Sequence, residues 1–298
     1  MPERFRIFSA DARTILSRTC GFIAEAGFTH SLTPARNCTF ACTYCYVPTM
    51  RLQGGLQPED WRRWGQFTTF KENTAALLAR ALRPTQRIYC SPTVDPYQPA
   101  EALDPHMPPL LDALIARPPA VVALQTRAIL ILRDLPRLTE LARHTTLRVS
   151  FSLTTNRDDI RRLYEPHCDA FEARLDAIRQ LRAAGLLVHA TLAPILPCDP
   201  ELFTQAALDA TPEALIADPF HARSTKPRGA TTRPESEAIS RRHGFLEWHE
   251  PAFQTTILER MAQVAARAGR PFAAGPAGFA WLAQPIAATS SRPSAPLS

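Results

Sequence analysis

The sequence predicts an α/β fold: a partial (βα)6 barrel of the TIM type, with parallel strands and a C-terminal helical extension. Three observations predict it. Short apolar runs alternate with amphipathic stretches of helical period, which is the rhythm of βα units and a parallel sheet. The runs number six, too few for a closed eight-stranded barrel, although an open sheet would also satisfy the rhythm. With 298 residues, 45% of them apolar, the chain can bury one large core or two ordinary ones.

The predicted strands are Thr29–Pro34, Gln86–Ser91, Ala120–Thr126, Leu147–Leu153, Leu186–Ile195 and Ala214–Ala217. Each is a short apolar run. Between them fall helices over Glu72–Leu82, Pro108–Ala116, Leu135–His144, Phe171–Ala184 and Glu201–Leu208. Gly185 follows the fourth of these as a C-terminal stop. Ser224–Glu237 is polar and rich in breakers, and reads as a loop or mobile lid. A further helix, Gln254–Ala268, precedes a short apolar stretch near Pro271–Ala274. The Ser/Pro-rich tail Thr289–Ser298 reads as disordered. The expected organisation is an N-terminal extension over 1–27, the barrel over 28–220, a C-terminal extension completing it over 221–288, and the tail over 289–298.

Composition excludes several classes. No apolar run approaches the ~20 residues that span a bilayer. Met1–Ala10 lacks the apolar region of a signal peptide, so a cytoplasmic protein without a membrane partner is expected. Only 11 residues are glycine, and neither G-x-G-x-x-G nor the P-loop pattern occurs, which argues against a nucleotide held by such loops. The formal charge is +6, but all basic residues except Lys71 and Lys226 are arginine, a bias typical of G+C-rich coding. The charge permits a nucleic-acid partner without requiring one.

Seven cysteines, an odd number without an export signal, do not suggest a disulfide framework. Three of them, Cys38, Cys42 and Cys45, form C-x3-C-x2-C directly after the first predicted strand. In parallel α/β proteins, sites gather at the carboxyl ends of strands. A structural zinc site needs four protein ligands, and the fourth would have to come from a distant residue such as His30. A redox pair of Cys42 and Cys45 leaves Cys38 unexplained. Three thiolates on one loop suit a cubane iron–sulfur cluster whose last iron stays open to a ligand.

C-x3-C-x2-C with the aromatic Tyr44 before the third cysteine resembles the radical S-adenosylmethionine (SAM) signature. Further segments resemble the spore photoproduct lyase-like branch of that superfamily. They are Lys71-Glu72-Asn73, Val94-Asp95-Pro96-Tyr97-Gln98-Pro99 with Glu101, Gln125-Thr126-Arg127 with Leu132-Arg133-Asp134, and Val149-Ser150-Phe151-Ser152. Glu165-Pro166, Arg174 and Ala193-Pro194-Ile195 complete the series.

The resemblance implies a [4Fe–4S] cluster on Cys38, Cys42 and Cys45, SAM on the open iron, and reductive SAM cleavage to methionine and a 5′-deoxyadenosyl radical. It implies SAM contacts from Asp95, Arg127 and Ser152, with Ser150 as an alternative to the last, and packing of Tyr44 over the cluster. It offers Tyr46 for radical relay and Cys90, facing the site, as a hydrogen donor, with a buried strand cysteine as the other reading of Cys90. Cys90 stands five residues before Asp95, where the lyase has three. An electron donor such as flavodoxin or ferredoxin is also implied. The substrate stays open, with DNA photoproduct repair and a non-catalytic zinc or iron–sulfur module as alternatives. Lys71 is a contact or a solvated lysine, His189 reads as a core histidine, and Asp218–His221 borders the barrel mouth. Cys20, Cys168 and Cys198 read as inert or surface thiols.

Overall fold

The computed structural model describes residues 5–50, 62–221 and 231–286. The tail and the 224–230 part of the expected lid lie outside the described residues. In chain order the strands are β1 (Arg6–Ala10), β2 (Leu16–Arg18), β3 (His30–Leu32), β4 (Ala35–Arg36), β5 (Phe67–Lys71), β6 (Arg87–Cys90), β7 (Val121–Thr126), β8 (Thr146–Leu153), β9 (Leu187–Leu192), β10 (Leu215–Ala217) and β11 (Phe272–Ala274). The main sheet has the order β11-β10-β9-β8-β7-β6-β3-β2. All its neighbours pair in parallel except β2, which runs antiparallel to β3. A small sheet, β1-β5-β4, sits apart from it.

The helices that return the chain from strand to strand are α2 (Thr74–Ala81), α3 (Met107–Ala116), α4 (Leu135–His144), α5 (Asp158–Tyr164), α6 (Phe171–Ala183) and α7 (Pro200–Ala210). They follow α1 (Gly21–Glu25) and precede α8 (Pro234–His243), α9 (Pro251–Arg267) and α10 (Gly275–Phe279). The α/β partial barrel and its C-terminal helices are thus as the sequence predicts.

One expectation is extended and one corrected. The stretch near Pro271–Ala274 is a strand, β11, which adds a seventh parallel member beside β10. Three residues are too few to show a period, and the pairing comes from its neighbour, where Leu215 N donates to Pro271 O at 3.0 Å. The end of the expected lid, Pro234–Glu237, opens α8. Proline at the first helical position, with Glu235 and Glu237 in the first turn, starts a helix rather than breaking one.

Side chains alternate between the faces of the sheet. Ile88, Val122, Leu124, Val149 and Phe151 join the main core with Leu110, Leu138, Leu175 and Ile178 of the surrounding helices. Tyr89, Ala123 and Ile216 form a second cluster with Phe28, Phe279 and Leu282. The segment from α10 to Ala283 therefore packs against the inward face of the sheet. Phe279 meets Phe22 edge-on at 5.0 Å, and burying a ring of that size contributes roughly 1.5–3 kcal/mol. With the inward face filled there, open space remains at the carboxyl ends of the strands.

Candidate active site

The cysteine loop begins at the end of the β3–β4 segment, and its shape is set by two residues in the left-handed region, Asn37 at φ 64° and Ala41 at φ 55°. Asparagine tolerates that conformation better than most residues. The buried Asn37 Oδ1 accepts from Cys38 N at 2.7 Å and from Gly65 N at 3.1 Å. Gly65 has φ +88°, and a Cβ there would overlap that of Ala41, so the close approach requires glycine.

Gln98 clamps the same loop from the far side. Its fully buried Oε1 accepts from Thr39 N at 2.7 Å and from Thr39 Oγ1 at 3.1 Å, while Nε2 donates to Thr68 Oγ1 at 3.2 Å. Thr39 Oγ1 in turn accepts from Ala100 N at 3.1 Å. Gln98→Ala strands a buried amide and is expected to cost about 1–3 kcal/mol, seen as a lower midpoint of thermal unfolding. An unchanged midpoint would show that the clamp contributes nothing.

Cys38, Cys42 and Cys45 all line one cavity of about 610 Å³. Asp95, Arg127, Ser152, Tyr44 and Tyr46 line it too. Asp95, Arg127 and Ser152 come from the ends of three separate strands and are brought to the cysteine loop, with its Tyr44 and Tyr46, only by the fold. Burial, and then the neighbouring Cys42, pushes the Cys45 thiol up to about 12, and burial raises Cys38 as well. Metal uptake must therefore displace protons from buried thiols.

Asp95 is held by three donors: Tyr97 N at 2.9 Å, Thr126 Oγ1 at 2.7 Å and Arg127 N at 2.8 Å. Burial still raises its carboxyl above the usual range, those bonds opposing it. Arg127 Nη1 lies 2.5 Å from Glu165 Oε1 and 3.6 Å from Cys42 Sγ, and also donates to Tyr44 Oη. Tyr44 Oη donates to Glu165 Oε1. The other Glu165 oxygen accepts from Thr154 Oγ1 at 2.9 Å and faces Arg174 Nη1 at 3.2 Å. Burial opposes ionisation of Glu165, but Arg174 and Arg127 outweigh it and hold the carboxyl below its ordinary value.

The rest of the Asp-Pro-Tyr-Gln-Pro element is scaffolding. Glu101 accepts from His106 N at 3.0 Å and Met107 N at 2.8 Å at the start of α3, and pairs with Arg133 at 2.8 Å. Carboxylates suit that helix end.

Other expected residues fall in varied places. Ser152 is on the cavity and accepts from Gln125 Nε2 at 3.4 Å, whereas Ser150 is bonded to Thr191 Oγ1 at 2.6 Å and is not a lining residue. Tyr46 Oη donates to Pro92 O at 3.0 Å, and its ring stacks on His221. His221 Nε2 lies 2.7 Å from Asp218 Oδ2 at the mouth. Lys71 Nζ donates to Thr33 O at 2.7 Å outside the cavity, its amine lowered to about 8 by burial and by Arg36. His189 is buried at 3.0 Å from Ala214 O, a core histidine. His30 stands at the start of β3, bonded to Thr29 Oγ1, so it offers no fourth ligand to the loop.

Cys90 is a buried strand cysteine, one of the two readings, and the expectation that it faces the site is corrected. It is buried in the main core and is not among the cavity-lining residues, while Tyr89 and Ser91 on either side are. Alternation by one residue turns the thiol to the other face. Ser91 Oγ is a buried hydroxyl in the cavity with no hydrogen-bond partner among the described residues, a feature that sequence pattern did not single out. The thiols read as inert also differ among themselves. Cys20 is exposed and lines the mouth, Cys198 is half-buried, and Cys168 is buried beside Cys42.

A larger groove of about 1110 Å³, lined by Arg80, Arg83, Arg117 and Arg143, contains no motif residue. It lies where the strands begin, around Ala120 and Thr146, away from the converging strand ends.

The family model described as the Radical SAM superfamily matches residues 32–200. The chain belongs to the radical SAM superfamily. An uncharacterized protein of Mycobacterium tuberculosis is 34% identical over 182 residues, covering 58% of this chain and 52% of the relative. One from Methanocaldococcus jannaschii is 26% identical over 160 residues, 54% of this chain and 58% of the relative. The chain thus spans about half the length of the curated relatives it matches. Among solved structures, a spore photoproduct lyase variant superimposes with a TM-score of 0.60 at 15% identity, over 90% of this chain and 81% of the other. A second variant, with bound AdoMet and dinucleoside spore photoproduct, gives 0.60 at 14% identity over the same shares. At that identity the likeness is one of fold.

Superfamily membership implies a [4Fe–4S] cluster and SAM. The residues present fit them: three soft sulfur donors share one loop and open on a cavity that also holds a carboxylate and a guanidinium. Among the described residues, no helix is long and apolar enough to cross a membrane.

Proposed function

We propose that the chain is a radical SAM enzyme that abstracts a hydrogen atom from a substrate seated in the cavity beside Cys38, Cys42 and Cys45. The observation that carries this is the convergence of those thiols with Asp95, Arg127 and Ser152 on one cavity at the carboxyl ends of the parallel strands. When bound, the reduced cluster supplies the electron that cleaves a carbon–sulfur bond of SAM to give methionine and a 5′-deoxyadenosyl radical.

The chain's own residues bind and orient. Cys38, Cys42 and Cys45 would hold three irons, leaving the fourth to SAM. The Asp95 carboxylate is an acceptor for the SAM ammonium group, and the Arg127 guanidinium and Ser152 hydroxyl are donors for its carboxylate. Glu165 and Tyr44 fix the angle of Arg127, so the donor is positioned before SAM arrives. Asn37 and Gln98 hold the loop that carries the thiols. The unit that does this is proposed to be 28–220, preceded by an N-terminal extension over 1–27 and completed by the extension over 221–288. An electron donor such as flavodoxin or ferredoxin is the proposed partner.

DNA photoproduct repair is a second reading. It is favoured by the fold likeness to the lyase that carries a dinucleoside photoproduct, and disfavoured by the placement of Cys90 outside the cavity. Reduced enzyme with SAM and deuterated candidate substrates tests both. Deuterium in 5′-deoxyadenosine identifies the substrate that is attacked. Reversal of a photoproduct dinucleoside supports repair, and its absence beside abstraction from another compound contradicts repair alone. No 5′-deoxyadenosine under any condition contradicts the enzyme.

A further inference from the structure

A fourth thiol stands against the cysteine loop. Cys168 Sγ, Cys42 Sγ and a Glu165 carboxylate oxygen all lie within 4.8 Å of one another. Cys168 is 6% exposed and is not a cavity-lining residue, so it approaches Cys42 from the side away from the SAM cavity. Its backbone is fixed: Cys168 N donates to Glu165 O at 3.1 Å, and Cys168 O accepts from Arg161 Nη1 at 2.6 Å. The Glu165 carboxylate is already engaged by Tyr44, Arg127, Thr154 and Arg174. The Cys42 sulfur lies within the same 4.8 Å of the Cys168 thiol.

We infer that Cys168 is a positioning residue for the cluster, its S–H donating to the Cys42 sulfur from behind and easing reduction. The inference rests on the radical SAM function proposed above. Reduction adds negative charge to a cluster and its thiolates, and a donor aimed at a ligand sulfur stabilises that charge, so the potential rises. Arg127 Nη1, 3.6 Å from the Cys42 sulfur, acts in the same sense from the cavity side.

The test is a spectroelectrochemical titration of anaerobically reconstituted wild type, Cys168→Ala and Cys168→Ser, with iron and sulfide assayed on each. Cys168→Ala is expected to keep its iron and sulfide. Its ratio of reduced to oxidised cluster at a fixed applied potential should fall about three- to tenfold, the scale of one weak hydrogen bond. Cys168→Ser retains an O–H donor and should equal or exceed wild type. An unmoved ratio in Cys168→Ala overturns the inference, as does loss of iron from a variant whose circular dichroism is native, since that marks a ligand. If Cys168→Ala does not fold, a fall in Cys168→Ser overturns it alone. A wild-type chain that takes up no cluster overturns the proposed function and this role with it. A normal wild-type cluster with unmoved variants overturns only this role.

Discussion

Alanine at Cys38, Cys42 and Cys45 together is expected to abolish iron and sulfide uptake and bring SAM cleavage to background. The loss should exceed the roughly 10–100-fold that removal of an outer partner of a metal ligand costs. All three thiols open on one cavity; its other lining cysteine is the exposed Cys20 at the mouth, and Cys168 adds a single sulfur beside Cys42, so neither replaces three ligands. Cys90 is turned into the core, and Cys198 is not a cavity-lining residue. Cys198→Ala should therefore load and cleave as wild type does. The triple variant should still fold, because Asn37 and Gln98 hold the loop through its backbone rather than through sulfur. Circular dichroism beside the iron assay checks this. Iron retained at the wild-type level in the triple variant would place the cluster elsewhere.

Glu165→Ala carries the largest stability effect. The carboxylate is fully buried and is shared by Arg127 and the fully buried Arg174. Removing it leaves two guanidinium groups without their counter-charge and a Tyr44 hydroxyl without its acceptor. Breaking a buried pair in this way costs about 3–5 kcal/mol. At roughly 2–4 °C per kcal/mol for a large domain, the unfolding midpoint should drop by about 10 °C. The pH dependence has a fixed sign. The folded carboxyl is held below its unfolded value, so its contribution is present above the ordinary carboxylate range. It is lost as pH falls through the folded value. Thermal unfolding of wild type and Glu165→Ala across acid and neutral pH should converge toward the acid end. Curves that stay parallel would mean that the ion pairs do not carry the effect.

The parts of the fold visible in the sequence were those with a period to read. β7, β8 and β9 are six to eight residues long and buried on both faces, so they stand out as apolar runs. β2 and β11 have three residues each and take their structure from the strand beside them. The cysteine loop was legible because its three ligands lie within eight residues of sequence. What holds it was not. Gln98 reaches Thr39 across 59 residues, and Tyr44 reaches Glu165 across 121. No local pattern encodes such pairs. Cys90 shows the limit at finer scale: in a four-residue strand, one step of alternation decides whether a side chain faces the site or the core. Cys168 lies three residues before α6, outside the cysteine motif, and only folding brings it to Cys42.

The most direct measurement of the central claim is made on the wild-type chain, purified and reconstituted without oxygen, then reduced with dithionite in the presence of SAM. About four irons and four sulfides per chain, with formation of 5′-deoxyadenosine and methionine, is the predicted result. A single zinc held by the same cysteines, with SAM left intact after reduction, would contradict it.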